Sequence, residues 1–226
     1  MTSFDRRQYA PATERNRDYI LAVLQEHLPP TGTILEIASG TGEHAIFFAP
    51  QLHPRRWLPT DIDPVALDSI AAWQEFVRSA PDSDRLAACL YPPIALDVSA
   101  PAWSVETTPL PDPLQAAGFA VGTIGAIAAI NMIHISPWSA CEGLMAGAER
   151  LLPPGGVLYL YGPYKREGQH TAPSNAEFDQ FLRSRDPAWG VRDLEAVIDL
   201  AAQHGLSQQA IVAMPANNLS VVFTKG

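Results

Sequence analysis

The sequence predicts an α/β domain built on a mostly parallel sheet of seven strands, with helices on both faces and an antiparallel last strand. Three observations lead there. Strand and helix patterns alternate five times between Thr33 and Tyr161, which is the signature of a parallel sheet covered on both sides. A pair of strand patterns then closes the chain around Pro215-Ala216-Asn217-Asn218, and so short a turn makes the final strand antiparallel. A length of 226 residues with 47% apolar content suits one domain, 1–226, with room for a small lid or insertion.

Thr13 to Leu28 reads as a helix, because Ile20, Val23, Leu24 and Leu28 share a face and Pro29-Pro30 stops it; with the residues before it, it makes 1–30 a candidate N-terminal lid. Thr33 to Ala38 is a short apolar run ending in a glycine turn, hence a buried strand. Gly42 to Ala49 follows as a helix ended by Pro50, and Arg56 to Thr60 is the second strand. Asp63-Pro64 is a cap followed by proline at the first helical position, and Leu67, Ile70, Trp73 and Val77 continue it as an apolar stripe. Pro93 to Val98 is the third strand. The stretch 99–118 is rich in proline and weak in pattern, so it is expected to be a loop or insertion.

Ile124 to Asn131 is the fourth strand. Ser136-Pro137 opens a helix with Leu144, Met145, Ala148 and Leu152 inward, and the turn Pro153-Pro154-Gly155-Gly156 leads into the fifth strand, Val157 to Tyr161. Ser174 to Glu177 matches a capping box, with Phe178, Phe181 and Leu182 behind it. Asp193 to His204 is a helix with Leu194, Val197, Ile198 and Ala201 inward and Gly205 as its C-terminal cap. Gln209 to Met214 and Leu219 to Thr224 are the last two strands.

Charge and composition narrow the partners. Fifteen basic against 24 acidic residues give a net charge of −9, which repels phosphate backbones and anionic lipid and argues against nucleic-acid or membrane partners. Cys89 and Cys141 have no metal-ligand spacing, and no His or Cys cluster suggests a metal. Two cysteines and the lack of a basic start followed by an apolar run fit a cytoplasmic protein; oligomeric state is not legible.

The candidate site lies in Glu36-Ile37-Ala38-Ser39-Gly40-Thr41-Gly42-Glu43-His44-Ala45, where a strand passes into a helix. Glycine there lets backbone approach a ligand, and the helix start offers free N–H groups. Taken literally, Gly40-x-Gly42-x-x-Ala45 also satisfies the dinucleotide fingerprint of a Rossmann-like fold. Asp61 ends the second strand, where a carboxylate can accept both hydroxyls of a ribose. Asp97 ends the third, where one can accept from an adenine amino group. For each, a helix cap or a solvated loop acid is the plainer alternative, and for Asp63 that alternative is preferred because Pro64 follows.

Glu36-x-x-x-Gly40-x-Gly42, then Asp61, then Asp97, resembles the signature of class I S-adenosylmethionine (SAM)-dependent methyltransferases. More narrowly, nearly the whole chain is similar to an uncharacterised methyltransferase-like family with bacterial and animal members. The similar segments include Tyr9 to Arg17, Leu35 to Gly42, Ile130 to Trp138, Tyr161 to Tyr164 and Met214 to Asn218. The resemblance implies SAM as cofactor, with Glu36, Ser39, Gly40 and Gly42 at its methionine portion. It also implies Asp61 and Ile62 at the ribose, Asp97 and Val98 at the adenine, and Asn131 beside the sulfonium. Arg15 and Asn16 join the cofactor set as part of a lid.

The expected reaction is methyl transfer to a small-molecule O, S or N nucleophile. His134 follows the fourth strand and is a candidate base; the alternative is a histidine that fixes a tight loop. Tyr9, Tyr161, Tyr164, Asn217 and Asn218 are candidate acceptor contacts. Asn131-Met132-Ile133-His134 lacks the Pro-Pro-aromatic run of amino-methylating nucleic-acid enzymes, and Asn131 breaks the acidic site of a magnesium-assisted catechol transferase. Two other functions compete: an NAD-dependent oxidoreductase, which leaves Glu36 and Asp97 unexplained, and a non-catalytic SAM-binding sensor or scaffold.

Overall fold

The computed structural model describes residues 5–79 and 88–226, so the first four residues of the expected 1–30 lid lie outside it. The central sheet contains β1 (Thr33–Ile37), β2 (Arg56–Asp61), β3 (Ile94–Ala95), β4 (Ile124–Ile130), β5 (Val157–Arg166), β8 (Leu206–Met214) and β9 (Asn218–Lys225). Their order is β3-β2-β1-β4-β5-β9-β8, and two two-residue strands, β6 (Gln169–His170) and β7 (Arg192–Asp193), pair with the far end of β5. The sheet thus has nine strands among the described residues, seven of them on the predicted path.

β1 to β5 run parallel, while β9 is antiparallel to both β5 and β8. β8 therefore points the same way as β5, and its carboxyl end at Met214 shares an edge with those of β1 and β4. β1 is buried at every position, as expected of a parallel strand covered on both faces. The pleat divides the core. Leu35, Ile37, Ile127, Leu158 and Leu160 pack on one face, and Ile34, Trp57, Ala126, Ala128 and Tyr159 on the other.

Helices α1 (Pro11–His27), α2 (Glu43–Gln51) and α3 (Pro64–Arg78) fall close to prediction, although α2 runs through Pro50 and does not end before it. Asp63 caps α3 by accepting from the Val65 N–H at 2.9 Å.

The stretch 99–118 departs most from expectation. It holds a short 3-10 turn, Ser104–Glu106, and helix α4 (Asp112–Ala116), and it contributes the buried side chains Trp103, Val105 and Leu114 to the core. The reason is tertiary. Helix α5 (Trp138–Leu151) carries Gly147, and a β-carbon there would lie 2.0 Å from the Trp103 indole, so the glycine leaves the slot that Trp103 fills. Arg150 of α5 grips Glu106 through two hydrogen bonds of 2.9 Å.

Helix α6 (Pro173–Arg185) starts at Pro173 with Ala172 as its cap residue and no side-chain cap, so the capping box expected at Ser174–Glu177 does not form. Asn175 instead donates to Thr171 Oγ1 and to the Asn217 carbonyl. Helix α7 (Leu194–Gln203) precedes β8. Among the described residues, no helix is long and apolar enough to cross a membrane.

Candidate ligand-binding site

Strand order reverses between β1 and β4, and at such a switch point the carboxyl ends open a crevice for a ligand. Both strands leave the sheet through a non-glycine residue of positive φ, Ala38 at 55° and Asn131 at 56°. Such conformations are costly for L-residues and cluster at functional sites.

After Ala38, the turn is pinned to β2. Ser39 donates its N–H to the Thr60 carbonyl and its hydroxyl oxygen accepts from the Thr60 N–H. Gly40 donates to Asp61 Oδ2 at 2.8 Å, while Asp61 Oδ1 accepts from the Asp63 N–H at 3.0 Å. The two glycines do different things. A β-carbon at Gly40 (φ 56°) would meet nothing within 4 Å, so this residue borders open space. One at Gly42 (φ 86°) would lie 2.9 Å from Ile70 Cα, so the glycine lets α3 pack against the turn.

Glu36, expected at the methionine portion of SAM, sits inside the protein. It is 1% exposed and lies under the turn, where it accepts from Trp57 Nε1 at 2.9 Å. Burial pushes its carboxyl up to about 7, against the opposing pull of hydrogen bonds from Ser39 and Trp57. Glu36 braces the turn from below.

Asp61 keeps unused lone pairs on both oxygens, and next to it Ile62 is 66% exposed, an apolar side chain held out at the rim. Asp97 is exposed, and its Oδ1 accepts from the Ser99 N–H. The Val98 carbonyl accepts from Trp103 Nε1, so Val98 is tied to the 99–118 segment.

Beside this rim lies a cleft of about 810 Å³. Arg15, Asn16 and Tyr19 of α1 form one wall, Asn131, His134 and Ile135 the floor after β4, and Ser174, Asn175 and Phe178 of α6 the opposite wall. Tyr161, Pro163, Pro215, Ala216 and Asn218 complete it.

His134 is 2% exposed, its Nδ1 has no hydrogen-bond partner, and its ring meets Phe178 edge-on at 5.7 Å. Burial, with Arg192 nearby, pushes its imidazole down to about 4, so the ring is neutral at physiological pH. The loop that carries it is clamped from behind. Arg192 donates to the carbonyls of Ile133, Ser136 and Ala188, and the Gly190 N–H donates to the His134 carbonyl.

A second chain of polar groups runs into the cleft. Burial pushes His44 down to about 4, and its neutral ring lies 2.8 Å, Nε2 to Oδ1, from Asn16. Asn16 and Asn218 also lie close enough to the Tyr161 hydroxyl to favour its ionised form. Burial is the larger effect on Tyr161 and holds its phenol above the usual value.

Three expected contacts lie elsewhere. Tyr164 is buried in the core, on the same face of β5 as Leu158 and Leu160 and in the cluster that includes Val197, because the β5 pleat sends it inward. Tyr9 is 60% exposed and packs edge-on to Trp73 of α3 at 5.0 Å. Its segment is anchored by the Gln8 N–H on Ser69 Oγ and the Ala10 N–H on Glu43 Oε2. Asn217 takes a left-handed turn conformation (φ 59°) that directs its side chain to Ser174, leaving Ala216 and Asn218 on the cleft.

Tyr19, Asn175 and Phe178 were not legible as cleft residues. Phe178 matches a core stripe and Asn175 a capping box, and only the contacts of Phe178 with His134 and of Asn175 with Asn217 bring them to the cleft. Among the described residues, no group of three or more His, Cys, Asp or Glu side chains could hold a metal.

A family model described as "Protein of unknown function (DUF938)" matches residues 7–225. Among solved structures, the S-adenosylmethionine-dependent methyltransferase SibL superposes with a TM-score of 0.67 at 15% identity, over 95% of this chain and 55% of its own. Human N-acetylserotonin methyltransferase, solved with SAM, gives 0.67 at 16% identity, over 95% of this chain and 53% of its own. An O-methyltransferase family 2 protein from Planctomyces limnophilus, solved with apigenin, gives 0.64 at 17% identity, over 93% and 62%. These likenesses are of fold, and the chain spans about half the length of the first two.

Proposed function

Because the chain belongs to the family described as "Protein of unknown function (DUF938)", its chemistry has to be argued from the site, and we propose that it transfers a methyl group from SAM to a small molecule held in the cleft. One observation carries the reading. The turn at Gly40, open to a ligand and bonded to Asp61, and Asn131 on the floor of the cleft follow the carboxyl ends of the neighbouring strands β1 and β4, paired up to Ile37 and Ala129, so a group bound at the turn would lie on the side of the sheet where the cleft opens.

The rim fits SAM. Gly40 leaves space for a ligand beside its backbone, Asp61 has lone pairs for ribose hydroxyls, and exposed Ile62 would border the ribose next to it. Asp97 and Val98 would border the adenine amino edge, while Ser39 and Asn131 would hold the methionine portion. When bound, SAM supplies an electrophilic methyl group. The protein's work is to hold the acceptor in line and exclude water. His134, neutral and buried, would take the proton from the acceptor's O–H, N–H or S–H as that group attacks. Arg192 and Gly190 would keep its ring in place.

The sheet favours this over a dinucleotide enzyme. A dinucleotide fold continues past β5 in parallel, building a second mononucleotide half. Here antiparallel β9 occupies that position. The two buried cysteines also suit a reducing, cytoplasmic setting.

Calorimetry with S-adenosylhomocysteine and with NAD tests the cofactor, and methyl-labelled SAM added with cell extract tests turnover. The reading expects binding of the first, none of the second, and label in a small molecule. NAD binding without S-adenosylhomocysteine binding would overturn it. Cofactor binding without any label transfer would leave a sensor.

A further inference from the structure

We propose that the cleft selects an anionic planar acceptor, a small aromatic or heteroaromatic acid, and that Arg15 recognises its negative charge; this rests on the methyl-transfer reading above. The argument begins with the charges around the cleft. Among the described residues, Arg15 is the only charged one that lines it, and no carboxylate does. No hydrogen bond or ion pair occupies the Arg15 guanidinium among the described residues. In a chain of net charge −9, a cation left unpaired at the mouth of a cleft runs against the general surface. His134 adds no second positive charge, because its buried ring is neutral.

An amine acceptor would therefore meet a like charge with no acid to offset it. A carboxylate would meet a planar donor fork suited to bidentate pairing.

The walls define the rest of the molecule. Tyr19, Ile135 and Phe178 are 55%, 42% and 37% exposed, and all three border the cleft. They offer flat apolar surface beside the amide of Asn16. A volume of about 810 Å³ is that of a small-ligand site and not of a peptide groove. An aromatic ring against Phe178 and Tyr19, with its acid group at Arg15, would leave its nucleophile near His134 and Asn131.

The test uses three probes with one ring system and different charge: 2-naphthoate, 2-naphthamide and 2-naphthylmethylamine. Each is titrated into the full chain at neutral pH, with and without S-adenosylhomocysteine. The acid should bind about tenfold or more tighter than the amide, and the amine weakest. Arg15→Gln should remove the preference for the acid and leave binding of the amide unchanged. Equal binding of acid and amine, or no binding of any probe, overturns the proposal. So does an Arg15→Gln variant that loses S-adenosylhomocysteine but keeps its preference for the acid, since Arg15 would then serve the cofactor. If S-adenosylhomocysteine does not bind the wild type, methyl transfer fails as a reading, while the cofactor-free titrations still decide the charge preference.

Discussion

Gly162 of β5 makes room for His134: a β-carbon built at position 162 would lie 2.9 Å from both Cε1 and Nδ1 of the imidazole. The ring that floors the cleft therefore rests on bare backbone. The Asn131 N–H donates to the neighbouring Tyr161 carbonyl, so strand β5 supports both cleft-floor residues.

Gly162→Ala should push the ring out of place. The expected cost is about 1–3 kcal/mol of stability, typical of overpacking, with turnover lowered at least tenfold and S-adenosylhomocysteine affinity nearly unchanged. In a His134→Ala background the clash is gone, so adding Gly162→Ala should cost little. A double-mutant cycle in urea measures this, and simple additivity of the two changes would contradict the contact.

His134→Ala itself should lower turnover by about 10²–10⁴-fold if the ring accepts the acceptor's proton. Its depressed pKa, about 4, predicts that kcat/KM shows no titration of this group between neutral and alkaline pH and declines only on the acid side. Full activity in His134→Ala would remove the residue from the mechanism. Equal losses of melting temperature and cofactor affinity would make it structural.

Asp61→Asn should weaken S-adenosylhomocysteine binding by about tenfold or more, since a charged acceptor for ribose hydroxyls becomes a neutral one. Asparagine retains one oxygen for the Gly40 N–H, so circular dichroism should show an intact fold. Calorimetry with unchanged affinity would refute the assignment.

Stability should depend on pH with two opposing signs. The Glu36 pKa is raised to about 7, so its contribution is full below the unfolded value of about 4.5 and is lost as pH rises through 7. His44 and His134 are lowered to about 4, so their contribution is present above the unfolded value of about 6.5 and is lost as pH falls toward 4. Glu36→Gln keeps an acceptor for Trp57 and removes the alkaline loss. It should gain about 1–3 kcal/mol more relative to wild type at pH 8 than at pH 5. Denaturant melts at the two pH values check it, and an equal effect at both would contradict a raised Glu36.

Gly147→Ala should destabilise the fold strongly, because its β-carbon would fall 2.0 Å from Trp103, deep in the core. Melting temperature measures it. A tolerated alanine would mean that the 99–118 segment packs more loosely than this contact implies.

The alternation of strands and helices, the caps at Asp63 and Gly205 and the glycine turn after β1 were legible because each depends on local periodicity, turn chemistry or a short motif. The antiparallel strand followed in the same way from a turn too short to cross the sheet. Tertiary structure alone decided what was not local. It placed Glu36 under the turn, where the β1 pleat aims it at Trp57. It sent Tyr164 into the core while Tyr161 stayed on the cleft, and it folded a patternless proline-rich stretch into the slot beside Gly147. It also brought Arg15, His134 and Phe178, far apart in the chain, around one cleft. The physical reason is that facing a ligand, like burial, depends on which surfaces pack across the sheet, and a residue's immediate neighbours in sequence carry no record of that.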